Sequence, residues 1–247
     1  MLDRIFDMNN PFFRFMNRVA DLLLLNILFI VTSLPVITIG ASATALNYVC
    51  LKMKEQEEGY IIKNFFKSFK ANFRQSTILW LIQLALGLVL ALELYLYWGI
   101  DTPAAAVIRT LVYTLIVLYI MFFMMIFALQ SRFYNTVIKT IRNGILLTFA
   151  NAPRVIAMLG FLIGVLYMCT ATKNSAVRSY GLLYWLMLGF AVQAYVNATM
   201  LQPVFKKLMP EETEEPQTPD HAFTVDEEAD LSALGYSQGE ESGKKQE

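Results

Sequence analysis

Apolar residues in this chain gather into blocks of roughly membrane-spanning length, separated by short charged stretches. Four blocks, residues 78–98, 107–129, 155–172 and 182–201, are almost free of charge. Each predicts a helix of about 20 residues, enough to cross a hydrocarbon core of ~30 Å. A fifth block, residues 19–49, is about half as long again as one crossing needs. Near its centre it carries Pro35 and Gly40, in "SLPVITIGAS". Proline removes a backbone donor and turns Leu34 away from helix, and Gly40 tolerates the backbone of a turn. The pattern predicts two limbs, 19–34 and 37–53, each about 24–26 Å long. A second limb that crosses fully and one that is re-entrant both return the chain to the same side.

Charge favours the hairpin over one long crossing. Residues 1–209 hold 18 Lys and Arg against 8 Asp and Glu, and basic residues gather in cytoplasmic loops. A single crossing gives five spans and at best 12 basic residues inside with 6 outside, exporting Arg4, Arg14 and Arg18. A hairpin puts 15 inside and leaves only Arg109, Lys173 and Arg178 outside. The expected fold is therefore all-α: a polytopic transmembrane helical bundle of about six hydrophobic limbs, with both termini cytoplasmic. The small residues of "GASATA", positions 40–45, let helices pack closely. The competing reading is a broken helix whose backbone binds a substrate or ion.

Two connecting segments read as interfacial amphipathic helices. In "GYIIKNFFKSFKANFRQS", Phe65, Phe66, Phe69 and Phe73 share a helical face, with Lys63, Lys67, Lys70 and Arg74 on the flank and ends. That face suits anionic lipid or a docking partner. In residues 131–154, Val137, Ile138, Ile141 and Ile145 alternate with Lys139 and Arg142. Both segments carry an Ala-Asn pair shortly before an Arg, a hint of an internal repeat. The N-terminal stretch reads as a retained interfacial helix, not a cleaved signal.

Composition supports a bilayer protein: 56% hydrophobic, 16% charged, mean hydropathy +0.48. The formal net charge of zero conceals a division. Residues 1–209 form a transmembrane domain of net charge +10, and residues 210–247 form an acidic cytoplasmic tail of −10 with a disordered composition.

Chemistry is sparse. The only histidine, His221, lies in the tail, and Cys50 and Cys169 have no neighbouring ligand pattern. No nucleophile has a plausible base, and no metal spacing or phosphate loop is present. We expect no enzyme, cofactor or metal, and no nucleic-acid partner. Glu93 is the lone acidic residue inside the four charge-poor spans. It reads as a candidate polar site or as a partner for Arg109. Asp21 is placed to pair with Arg18 one turn back. Asn26, Gln83, Gln130, Gln193 and Asn197 read as interhelical hydrogen-bonding groups.

The layout "NPFFRFMNRVADLLLLNILFIVTSLPVITIGASATAL" followed by "EEGYIIKNFFKSFKANFRQSTILWLI" resembles the YesL-like family of bacterial integral membrane proteins, domain of unknown function 624. Pro35, Thr38, Gly40, Phe66, Phe69, Lys70, Asn72 and Phe73 carry the likeness, which covers about residues 1–207. The family brings no catalytic residues. The resemblance implies company with carbohydrate ABC importer subunits and sensor histidine kinases in Gram-positive bacteria, hence an accessory role in sugar import at the cell membrane. An autonomous small-solute transporter and a membrane partner of a sensor kinase are the alternatives.

Overall fold

The computed structural model describes residues 11–55, 60–133, 135–171 and 175–209, and every regular element among them is helical. In chain order these are α1 (Pro11–Ser33), a 3₁₀ turn (Val36–Thr38), α2 (Ile39–Lys54), α3 (Ile61–Leu96), α4 (Pro103–Arg132), α5 (Val137–Ala150), α6 (Ala152–Thr170), α7 (Ser175–Tyr184), a π-helical turn (Trp185–Gly189) and α8 (Phe190–Leu208). Six helical stretches are long and apolar enough to cross a membrane. The first ten residues and the acidic tail, 210–247, lie outside the described residues.

The block 19–49 does fold back. α1 stops at Ser33, two residues before Pro35, and α2 begins at Ile39. The Thr38 hydroxyl donates within the turn, where the Thr32 and Pro35 carbonyl oxygens lie 2.6 Å from it, and the Ser42 hydroxyl reaches Thr32 Oγ1 at 2.9 Å. At the other end of the pair, Arg18 on α1 donates to the Met53 carbonyl on α2 at 2.8 Å. Those contacts at both ends define an antiparallel hairpin. Arg18 also reaches the Tyr195 hydroxyl at 3.2 Å, and Asp21 is near enough to feel its charge without forming a close ion pair with it.

The hairpin is shorter than the bundle. Its tip stands level with Trp80, whose indole N–H donates to the Val36 carbonyl at 2.6 Å. From there α3 runs on through residue 96, about 24 Å further. Leu34 at the tip is 75% exposed, and Val36 and Ile37 are exposed beside it. Three apolar side chains thus stand at a tip that stops well short of the far end of α3. α2 packs as its small residues require, with residues 40–47 all buried. A Cβ on Gly40 would lie 2.3 Å from the Ser76 carbonyl oxygen, so this position admits only glycine at the observed spacing.

The expected surface-lying helix at 61–76 is corrected in two respects. It is not a separate helix, because α3 runs unbroken for 36 residues with no proline or glycine until Gly87 to interrupt it. And the four phenylalanines do not share one environment. Phe65 is fully buried, whereas Phe66 and Phe73 are 38% and 40% exposed. The buried stripe is Phe65, Ser68, Asn72, Ser76, Leu79 and Gln83. α5 shows a similar division: Thr140, Gly144 and Thr148 are buried, Val137 and Ile141 pack against the core, and Ile138 and Ile145 are exposed. In a bilayer the apolar side chains face lipid and the small and polar ones face protein. The hint of an internal repeat also fails. Asn72 lies mid-helix, while Asn151 sits at the break between α5 and α6, where Pro153 opens the next helix.

At the far turn, Thr102 caps α4 by accepting from the Ala105 N–H at 3.2 Å, and Gly99 supplies the positive φ of 81°. The apolar centre between α2, α3 and α4 is Ala43, Leu79, Ile126 and Phe127, with Phe29, Trp80 and Phe123 packed against it.

Candidate functional site

The residues singled out from sequence do not meet in one place. Pro35 is exposed at the hairpin tip, and Gly40 is buried against α3. Lys63, Lys67, Lys70 and Arg74 are exposed along the first half of α3, beside Phe66 and Phe73. Phe69 is half-buried and stacks between Phe65 and Phe73, at centroid distances of 6.3 and 5.5 Å. Glu93 is exposed near the far end of α3, and no ion pair joins it to Arg109 among the described residues. The ion pair that does form is Arg132–Glu55 at 2.8 Å, tying the end of α4 to the end of α2.

The hydrogen-bonded amides divide into three groups. Gln130 on α4 bridges neighbouring helices: its Nε2 donates to Asn72 Oδ1 at 3.3 Å, and its Oε1 accepts from Thr140 Oγ1 at 3.2 Å. Gln75 extends this chain to Thr140 and to the Asn135 carbonyl. Asn26 on α1 is completely buried against the π-helical turn. Its Nδ2 donates to the carbonyls of Trp185 and Leu186 at 3.3 and 2.8 Å, and its Oδ1 accepts from the Ala191 N–H at 3.0 Å. A π turn leaves backbone groups out of the ordinary helical ladder, and Asn26 satisfies three of them. Gln83 is buried, but its Oε1 finds no partner.

Gln193 and Asn197 form the third group. They line a partly open cavity of about 470 Å³ between the hairpin, α4, α6 and α8. Its walls are mainly aromatic and aliphatic, including Phe29, Phe123, Phe127, Trp185 and Phe190, and no charged residue lines it. Gln193 Nε2 donates to Asn197 Oδ1 at 2.9 Å and to the Met158 carbonyl at 3.4 Å. Three polar atoms of lining residues are buried without partners: Asn47 Oδ1, Gln193 Oε1 and Trp185 Nε1. Asn47 is only 7% exposed, and its Nδ2 is already used on the Ala43 carbonyl at 2.8 Å. Sequence reasoning found Gln193 and Asn197 but missed Asn47 and Trp185. Asn47 closes a run of small residues and gives no periodic signal. Trp185 gains its place from the π turn, which offsets the helical register.

A bundle with six stretches of spanning length and an interior of small and polar residues is a multi-pass helical membrane protein. Residues 22–94 match the family model described as protein of unknown function, DUF624. The matched segment runs from α1 through the hairpin into α3, the part of the chain on which the sequence resemblance rests. No curated protein and no solved structure matches the chain.

Proposed function

We propose that the protein is a non-enzymatic accessory component of carbohydrate ABC import in the cytoplasmic membrane of Gram-positive bacteria, with the outer ends of α1 and α8 on the cytoplasmic side. The importer association comes from the family resemblance. The observation that carries the choice of an accessory over a sugar carrier is the chemistry of the 470 Å³ cavity. A sugar presents hydroxyls around its whole ring, and each one buried without a partner costs about 1–3 kcal/mol. Walls dominated by Phe, Leu, Ile and Met, with a few amides, offer too few partners. What the protein presents to a partner is the outward face of α3, where Phe66 and Phe73 stand exposed beside four cations. Aromatic residues mixed with cations suit both anionic lipid and a protein surface.

The cavity favours one second reading, transport of a small apolar solute. Purified protein in liposomes separates the accessory reading from an autonomous sugar carrier, and efflux of an apolar solute tests the second reading. The accessory reading expects no sugar counterflow by this chain alone. Sugar counterflow without any ATPase rejects it.

A further inference from the structure

We infer that the groove at the turn between α3 and α4 binds the phosphodiester of a membrane phospholipid through Arg109. The site lies at the opposite end of α3 from the cations offered to a partner, and it stands apart from the importer reading. Trp98 and Gly99 of the turn wall the groove on one side, and Ala106, Arg109, Thr110 and Tyr113 of α4 on the other. Its volume, about 370 Å³, falls within the ~300–1,000 Å³ of ordinary small-molecule sites. Its depth is that of a lipid headgroup. The charge-poor blocks 78–98 and 107–129 both end at this turn. Tyr95, Trp98 and Tyr113 are exposed around it, as aromatic residues are at the boundary between hydrocarbon and water. Leu96, Val107 and Leu111 stand exposed alongside and offer acyl chains an apolar surface.

The chemistry of the walls specifies the head. Arg109 is half-buried, and among the described residues it makes no hydrogen bond and no ion pair. A guanidinium carries five N–H donors and no acceptor, the Trp98 indole only donates, and the Tyr113 hydroxyl can donate as well. No carboxylate or amide side chain lines the groove, and Glu93 and Asp101, the acids nearest in sequence, are exposed outside it. Donors around an unanswered guanidinium call for an oxyanion, and phosphate oxygens match the two parallel N–H bonds that arginine presents. A cation at membrane depth without a protein partner takes one from its surroundings. The oxyanion abundant at this depth is the lipid phosphodiester, whose single negative charge matches the single guanidinium. Water solvates a guanidinium as well, so the test removes the phosphate.

The full chain in detergent is titrated with lipid while Trp98 fluorescence is followed as the difference between the unaltered protein and Trp98→Phe. The two probes, phosphatidylglycerol and diacylglycerol, carry the same dibrominated, quenching acyl chains, and only the first has a phosphate. Lipid held by the cations at the other end of α3 is too distant to quench Trp98. The expected result is half-quenching by the phospholipid at about tenfold lower concentration, the scale of one charge-assisted hydrogen-bonded contact. Arg109→Gln should erase the difference, and Arg109→Lys should keep only part of it, because an ammonium lacks the planar fork. Equal quenching by the two lipids in the unaltered protein overturns the inference without reference to any arginine variant. So does a phospholipid preference that survives Arg109→Gln in a protein that melts normally. Inorganic phosphate distinguishes the two sources of the anion: the inference expects millimolar phosphate to leave the phospholipid in place, and displacement would assign the groove to the free anion and overturn the lipid reading.

Discussion

Replacing Gly40 with alanine tests the packing that fixes the hairpin against α3. The new Cβ would stand 2.3 Å from the Ser76 carbonyl oxygen and 2.6 Å from Trp80 Cβ. Neither is the end of a flexible side chain, so relief requires moving one helix away from the other. Separation would also strain the 2.8 Å Thr44–Ser76 hydroxyl contact and the Trp80 bond to Val36. Overpacking of this kind costs about 1–3 kcal/mol, and more where backbone blocks relaxation. Alanine returns at most about 1 kcal/mol of helix propensity. The expected net loss is about 2 kcal/mol, a fall of ~4–8 °C in melting temperature for a chain of this size. Cys50 is completely buried and provides the assay: a thiol-reactive dye labels it only as the bundle opens, in a Cys169→Ser background. Gly164→Ala is the control, since nothing lies within 4 Å of its added Cβ. If Gly40→Ala melts with Gly164→Ala, the close approach of α2 and α3 is wrong.

Further outcomes follow from single contacts. Asn26→Leu strands two carbonyls and one N–H of the π turn, so hydrogen exchange at residues 185–191 should accelerate, with a global loss of about 2–4 kcal/mol; unchanged exchange there would contradict the clamp. Phe65→Ala should cost about 3–5 kcal/mol as a cavity-forming change, whereas Phe66→Ser with Phe73→Ser should leave the melting temperature nearly unchanged, a difference readable by the same thiol assay. Glu55→Gln removes a partly exposed ion pair with Arg132 and should lower stability by no more than about 1 kcal/mol. A cysteine replacing Val36, at the hairpin tip, should resist impermeant thiol reagents applied from either face of the membrane if the limb is re-entrant; rapid labelling from outside would mean that α2 crosses fully.

The hairpin was legible because proline acts locally: Pro35 stops α1 through its own ring, whatever the packing. The inward faces were not. Hydrophobic periodicity marks a face without naming its partner: Phe66, Phe73, Ile138 and Ile145 stand exposed, as a face toward lipid or a partner would, while Phe65 beside them is buried. The useful signal was the spacing of small and polar residues, Ser68, Asn72 and Ser76 on α3 and Thr140, Gly144 and Thr148 on α5. The length of α3 was underestimated because its amphipathic half and its apolar half look like different elements, although nothing between them breaks a helix. The cavity was beyond reach. Its lining comes from helices far apart in sequence, and one of its polar groups is set by a π turn that no local pattern announces.

The accessory role is tested most directly by isolating the protein from its native membranes under mild detergent and identifying its companions by peptide mass spectrometry. The account predicts permease or ATPase subunits of a carbohydrate ABC importer, lost when Phe66 and Phe73 are changed to Ser while the protein remains folded. Recovery of the folded protein without importer subunits, from cells that are expressing the importer, would contradict it.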